Sequence, residues 1–453
     1  MIKNILEKIN EVGGRSYFVG GCVRDEILCI ENKDIDIEVF NVDIQKLIKI
    51  LSEFGKVDVV GQSFGVIKLT TNDNDYDFSL PRRDSKIGVG HKDFEVVVDS
   101  TMTIEEAAKR RDFTFNSISK DEDGNVVDPF NGIDDLNKKI LRHTSEYFSD
   151  DPLRVLRGFQ FCGRFDLIAD ISTIRLCKNI KDSFSSLSKE RFWEEFKKWA
   201  LKSTNHKAGL DFLVMTHWID NFPELRDILG VPQELEFHPE GCVYTHTCYV
   251  VNAMNDICLR ENISGERKLI LILAALCHDL GKATTTVYRK GRISAPSHDV
   301  EGGPLTRSFL NRIKCPNEII EKVVPLVENH MVHLNDASKR SVNRLSVKIG
   351  KASILDLVLL IEADHSGRPP KEKKMPEKAR KMLEIAIELG VQNEKPKKIV
   401  SGKDILQYIP EGKDLGIILN YLYSKQLECK FHDIESGINM MKKHYLYHKY
   451  QKS

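Results

Sequence analysis

Residues 17–40 read YFVGGCVRDEILCIENKDIDIEVF, and this stretch decides the fold. An apolar run from Tyr17 meets the pair Gly20-Gly21, a short helix follows, and a second strand carries Asp34 and Asp36. Side chains alternate faces along a strand, so residues two apart share a face. Asp34 and Asp36 are expected to point together, with Ile35 and Ile37 turned away. Two carboxylates on one face suit Mg²⁺, a hard cation that takes oxygen ligands and keeps water or phosphate oxygens beside them. The glycine turn opens a helix, and helix N-termini favour phosphate. Either feature alone is commonly a plain turn or a solvated loop. Both in this order, followed by Arg24-Asp25, point to nucleotide chemistry.

GGCVRD followed by DID resembles the signature of the bacterial tRNA CCA-adding enzyme and poly(A) polymerase family, within the DNA polymerase β-like nucleotidyltransferase superfamily. The resemblance implies an α+β chain. A nucleotidyltransferase head of mixed sheet and helices (1–142) would precede an all-α neck (143–234), an HD domain (235–370) and a C-terminal helical region (371–453). It also implies two Mg²⁺ ions at Asp34 and Asp36, with Gly20, Gly21, Arg24 and Asp25 beside the nucleotide.

Working outward, MIKNILEKINEV places Ile2, Ile5, Leu6 and Ile9 at helical spacing, which predicts a core helix rather than a targeting peptide. Residues 42–54 read as a helix, and 57–60, 64–70 and 76–80 as strands. Asp77, in the last of these, is either a third metal-site carboxylate or a surface charge at a strand end. Leu80 to Phe94, LPRRDSKIGVGHKDF, is basic and glycine-dotted without a clear period, and predicts a mobile surface loop. The resemblance implies a role for it in switching from CTP to ATP, and the presence of Lys86 to Gly90 favours full CCA addition.

AAKRRDFTFNSI resembles the family's RRDFTxNA motif. Arg111 can neutralise triphosphate, while Asp112 and Asn116 can bond a ribose or orient Arg111. Asp128 to Gly132, DPFNG, is similar to a family turn that has glycine where this chain has Asn131. In FSDDPLRVLRGF, Asp151 suits a helix N-cap and Pro152 the first helical position. The resemblance assigns more: Asp151 and Arg154 would bond the Watson–Crick edge of the incoming base, and Arg157 the triphosphate. Arginine donates to base acceptors and a carboxylate accepts from an exocyclic amine. LSKERFWEEFKKW is similar to the family's neck motif, with Ser188 as an N-cap and Arg191, Glu194 and Glu195 as braces.

Beyond residue 235 the character changes. LILILAALCHDLGK is an apolar helix ending in His278-Asp279, and it resembles the HD phosphohydrolases. His246, His278, Asp279 and Asp364 would bind a divalent metal, and His298 and His330 a second. Nitrogen and oxygen donors together suit a transition metal or Mg²⁺. Arg368 to Lys381 is Pro- and Lys-rich and reads as a solvated linker. The basic closing helix from Ile434 is expected to help hold tRNA by analogy.

With 453 residues, 41% hydrophobic and 30% charged, the chain is long enough for about three domains. Sixty-seven basic and 67 acidic residues cancel, so a nucleic-acid partner requires local basic surfaces. Ten cysteines without a CxxC read as free thiols in a reducing compartment, which predicts a cytoplasmic protein. The longest apolar run, Leu269 to Cys277, is too short to span a membrane. The expected partners are tRNA, CTP and ATP. The expected activity is template-independent CCA addition, with poly(A) polymerisation, partial CC or A addition, and an HD phosphodiesterase or phosphatase as alternatives.

Overall fold

The computed structural model describes residues 1–32, 34–60, 66–72, 74–86, 94–334 and 336–444, in two compact units, Met1–Asn221 and Phe222–Ser453. In the first unit, helix α1 (Ile2–Glu11) precedes strand β1 (Arg15–Val19), helix α2 (Gly21–Ile27), strand β2 (Ile35–Phe40) and helix α3 (Ile44–Leu51). Strands β3 (Lys56–Val60), β4 (Val66–Thr70), β5 (Asp75–Ser79), β8 (Ser119–Asp121) and β9 (Val126–Val127) complete a seven-stranded sheet, ordered β3-β4-β5-β2-β1-β8-β9. The pairing of β2 with β5 is parallel, whereas β1 pairs β2 antiparallel, so the sheet is mixed as expected.

Alternation along β2 sorts its residues. Ile37 and Val39 are fully buried and join Ile67, Leu69 and Phe78 in a core covered by Ile5, Leu6 and Ile9 of α1 and Leu47 and Leu51 of α3. Fully burying each such side chain is worth about 1.5–3 kcal/mol. Asp36 and Glu38 take the opposite face. Asp43 caps α3 by accepting from Lys46 N–H at 2.9 Å.

The expected loop at 80–94 is corrected in part. Arg82–Lys86 is a strand, β6, paired antiparallel with Phe94–Val98, β7, Arg82 facing Val98. RRDSK carries no strand period of its own; pairing with the valine-rich FEVVV supplies what propensity does not. Residues 87–93, where the nucleotide-switching role was expected, lie outside the described residues.

Helix α4 (Ile104–Ala108) carries a capping box from Thr103 and Glu106. Helix α5 (Gly132–Asn137) is capped by Asp128, which accepts from Gly132 N–H at 2.7 Å and Ile133 N–H at 2.9 Å. Asn131 sits in the left-handed region at φ 55°, and asparagine tolerates that region better than most residues, so it replaces the glycine of the family turn. Helices α6 (Leu153–Phe165), α7 (Ile171–Asn179), α8 (Lys189–Lys202) and α9 (His206–Met215) follow. Ser188 occupies the N-cap position of α8, but its side chain makes no capping bond.

Gly209 lets α9 approach α6. A Cβ there would sit 2.7 Å from Phe159 O and 2.8 Å from Trp199 Nε1. Replacing Gly209 by Val is expected to lower unfolding free energy by about 1–3 kcal/mol through overpacking. Urea denaturation followed by tryptophan fluorescence checks this, because Trp193, Trp199 and Trp218 all lie in the first unit.

In the second unit, α10 (Pro223–Arg226) leads to α11 (Val243–Arg260), α12 (Gly265–Cys277), α13 (Lys282–Thr285), α14 (His298–Arg312), α15 (Asn317–Asn329), α16 (Lys339–Lys348), α17 (Ile354–Ser366) and α18 (Glu377–Glu388). Helix α12 is the axis. Leu269 to Cys277 is buried throughout, and α11, α15 and α17 pack around it. A run buried on all sides shows no amphipathic period, which is why it reads as uniformly apolar. Among the described residues no helix is long and apolar enough to cross a membrane.

Candidate active site and metal centre

In the first unit, one open cleft gathers side chains from four distant stretches of sequence. Gly20, Gly21, Arg24 and Asp25 come from the first turn, Asp34 and Asp36 from β2 and the residue before it. Arg111, Asp112 and Asn116 come from the segment after α4, and Asp151, Arg154 and Arg157 from the start of α6. The structure thus brings together every residue expected at a nucleotide site.

Asp36 lies directly across from Asp77 in the parallel β2–β5 register. Residues opposite one another on paired strands share a face, so Asp77 joins the same carboxylate face. The Asp36 carboxyl is pushed above its usual range by burial, and further by Asp77 and Asp34, with Arg111 and Arg24 pulling the other way. Asp34 is exposed, and its N–H donates to Asn32 Oδ1 at 3.0 Å. A cluster of hard oxygens that raises its own proton affinity fits a divalent cation, which replaces the proton as counter-charge.

The arginines are held at defined points. Arg111 donates to Glu38 Oε2 at 2.8 Å and to Asn116 O at 3.2 Å. Arg24, 4% exposed, donates to Asp25 Oδ1 at 2.7 Å and Asn116 Oδ1 at 2.6 Å, with its guanidinium over Phe165. Arg157 donates to Asp112 Oδ2 at 2.6 Å, and Asp112 also accepts from Phe113 N–H and Asn116 Nδ2. Asp151 accepts from Leu153 N–H at 3.0 Å and Arg191 Nη2 at 2.9 Å, while Arg154 donates to Tyr147 O at 2.6 Å. Asp151 therefore closes the N-terminus of α6 and still lines the cleft.

The sequence reading missed Glu38, and it placed Arg191 in the neck as a brace rather than at the cleft. Glu38 continues the alternation of Asp34 and Asp36, a signal that was available. Arg110, Arg164, Lys198 and Lys202 also line the cleft, giving the local basic surface that net charge hides.

The second unit holds a separate cluster. His246 projects from α11, His278 and Asp279 follow α12, His298 opens α14, His330 follows α15, and Asp364 lies on α17. Asp279 Oδ1 lies 3.3 Å from His298 Nε2 and 3.9 Å from His330 Nε2, and Oδ2 lies 3.2 Å from His278 Nε2. His246 Nε2 is 3.0 Å from Asp364 Oδ1 and 3.7 Å from Asp279 Oδ2. Each remaining ring nitrogen faces an acceptor: His278 Nδ1 reaches Ala275 O, His298 Nδ1 Ala295 O, and His330 Nδ1 Val327 O, at 2.7–2.8 Å.

A carbonyl only accepts, so these Nδ1 atoms carry a proton, and each ring turns its Nε2 toward Asp279. The Nε2 atoms of His298 and His330 then face each other at 3.2 Å. Burial, with His278 and His298 alongside, pushes His330 down to about 3, which keeps it a neutral ligand. Nitrogen and carboxylate donors around a buried Asp279 fit one or two divalent ions. Two cations missed from the sequence border this cleft. Lys282 Nζ lies 2.7 Å from Asp279 Oδ2 and donates to Gln233 Oε1, and Arg368 donates to Asp364 Oδ1 at 2.6 Å.

A polymerase-type head on a mixed sheet and a helical histidine-aspartate centre define the class: a nucleotidyltransferase joined to an HD domain. The family model of the poly A polymerase head domain matches residues 16–142, and that of the HD domain residues 243–388. The multifunctional CCA protein of Tolumonas auensis is 31% identical over 391 residues, covering 83% of this chain and 91% of the relative. That of Shewanella frigidimarina is 30% identical, covering 83% and 90%. The chain belongs to the multifunctional CCA protein family. Its fold is also that of solved structures. The Bacillus stearothermophilus CCA-adding enzyme in complex with CTP superposes with TM-score 0.60 at 19% identity, over 94% of this chain and 91% of that one. The Thermotoga maritima enzyme complexed with tRNA gives 0.60 at 19%, over 96% and 93%.

Asp112 yields a pH prediction. Burial acts to raise its carboxyl, but Arg157 and Asn116 outweigh burial and hold it below the usual range. Its contribution to stability is therefore complete above the unfolded-state value, about 3.9, and is lost as pH falls through the lower folded value. Asp112→Asn is expected to destabilise the protein at pH 6, with the gap to wild type narrowing at pH 3. Urea midpoints at the two pH values measure this, and a constant gap contradicts it.

Proposed function

We propose that this chain is a template-independent tRNA nucleotidyltransferase that adds CCA to tRNA 3′ ends from CTP and ATP. One observation carries the reading: in a single cleft, the carboxylates Asp34 and Asp36 lie together with the arginine-rich start of α6, and Asp77 is the register partner of Asp36 across β2 and β5. That the relatives are multifunctional CCA proteins supports it.

Asp34 and Asp36 would hold Mg²⁺. Bound there, it supplies charge neutralisation at the attacking 3′-oxygen and the departing pyrophosphate, the two-metal logic of in-line displacement. The chain's own residues do the rest. Arg111 and Arg157 face the triphosphate, each pre-positioned by a carboxylate, Glu38 or Asp112. Gly20 and Gly21 leave room for phosphate oxygens beside them. Arg24, Asp25 and Asn116 form the buried frame that fixes Arg111. Asp151 accepts from the exocyclic amine shared by cytosine and adenine, and Arg154 donates to a ring acceptor, so protein groups stand in for a template.

In the second unit, His246, His278, Asp279 and Asp364 would hold one divalent metal, and His298 and His330, with Asp279, a second. Such ions supply an activated water for attack on phosphorus. Lys282 and Arg368 balance the carboxylates. This centre supports a metal-dependent phosphohydrolase activity on phosphate esters.

A tRNA transcript ending at the discriminator base, incubated with CTP and ATP, should gain CCA on sequencing of its 3′ end. A tract of A from ATP alone would favour a poly(A) polymerase, and CC or A alone a partial adder. Asp34→Ala should abolish incorporation of labelled CTP, and retained incorporation would overturn the metal assignment in the head. His278→Ala should lose bound transition metal by elemental analysis, with unchanged content counting against the second centre.

A further inference from the structure

Three of the four clustered imidazoles are aimed by main-chain carbonyls, those of Ala275, Ala295 and Val327, each three residues earlier in the chain. His246 is different. Its Nδ1 lies 2.7 Å from Oε1 of Glu240, in the segment before α11, and 3.2 Å from Gly367 O. The same oxygen of Glu240 lies 2.9 Å from Nδ1 of His238, a residue lining the metal-centre cleft. The two imidazole rings meet edge to face at 4.7 Å. One carboxylate oxygen thus serves two imidazole N–H groups.

Glu240 has a side chain fully closed to solvent, and its Oε2 has no hydrogen-bond partner among the described residues. Burying a carboxylate with half its acceptor capacity unused is costly. Packing alone would be served as well by an apolar side chain. The arrangement gains something only a carboxylate supplies: a strong acceptor that keeps the proton on Nδ1 of His246. With the proton of Nδ1 held there, Nε2, the atom facing Asp364 and Asp279 at 3.0 and 3.7 Å, is the nitrogen left to bind a metal.

We infer that Glu240 is a positioning residue of the HD centre, fixing the tautomer and ring orientation of His246 so that Nε2 is the metal-binding atom. This rests on the reading of the second unit as a metal site. Carboxylate partners behind ligand histidines raise ligand basicity, and losing them weakens metal binding by about 10–100-fold. A ligand role for Glu240 itself is disfavoured. Both Nδ1 atoms around it already point their protons at its oxygen, so a cation there would displace two hydrogen bonds.

The test titrates Ni²⁺, which favours imidazole, into the full-length chain carrying Asp34→Asn and Asp36→Asn, so that the head does not compete. Calorimetry in this background should give a Kd that Glu240→Gln weakens by about 10–100-fold. Glutamine keeps the shape and removes the charge. Glu240→Asp keeps the charge but withdraws it by one methylene; the same direction of change is expected, and it serves if the glutamine variant folds poorly. A parent that binds Ni²⁺ with either folded variant within twofold of it overturns this inference alone. A parent that binds no Ni²⁺ overturns the metal reading and this inference with it.

Discussion

Negative charge is crowded onto one face of β2, and the first unit is built around that fact. Asp36 and Asp77 are register partners across parallel strands, Asp34 precedes Asp36 by two residues, and Glu38 follows it by two. Like charges about 4 Å apart repel by about 4 kcal/mol at the effective dielectric of a protein surface. Left alone, such a face would open or take up protons, and burial, with Asp77 and Asp34 adding to it, raises the proton affinity of Asp36. The chain answers with arginines from far along its length. Arg111 bonds Glu38 at 2.8 Å and Arg24 lies behind the cleft, held by Asp25 and Asn116. A residual deficit of positive charge remains at Asp34 and Asp36. The cationic side of the same cleft, at Arg111 and Arg157, suits triphosphate.

Much of this was legible in the sequence because short motifs fix local geometry. The alternation in DIDIE sets which residues share a face, and the glycine pair forces the turn ahead of α2. Tertiary pairing was less legible. Strand β6 is written in polar residues, RRDSK, and becomes a strand only beside FEVVV. The place of Asp77 could not be read at all, since strand order and register, not its neighbours in sequence, put it opposite Asp36. Arg191 read as a brace on a neck helix, whereas the turn into α6 presents Asp151 to it at 2.9 Å.

The second centre follows a different physical logic. There the ligands are aimed by hydrogen bonds behind them. Helix ends place ring Nδ1 atoms on carbonyls three residues back, and the Nε2 atoms converge on Asp279. Resemblance to the HD pattern pointed to His246, His278, Asp279 and Asp364, and the apolar helix ending in His278-Asp279 was its strongest local signal. Lys282 and Arg368 stand three and four residues from the carboxylates they pair with, a local signal that was available, whereas nothing in the spacing marked Glu240. Both centres nevertheless share a principle: each clustered side chain is held in place by a hydrogen-bond partner behind it.

The central claim is that the protein itself reads the incoming base, through Asp151 and Arg154. The most direct measurement is the ratio of kcat/KM for CTP over UTP on a tRNA ending at the discriminator base, for wild type, Asp151→Ala and Arg154→Ala. Loss of one good base-edge contact is worth about 1–3 kcal/mol of discrimination, or about 5- to 150-fold. The account predicts a fall of that size in the ratio while transfer itself persists. A variant that still transfers nucleotide with the wild-type ratio would contradict it.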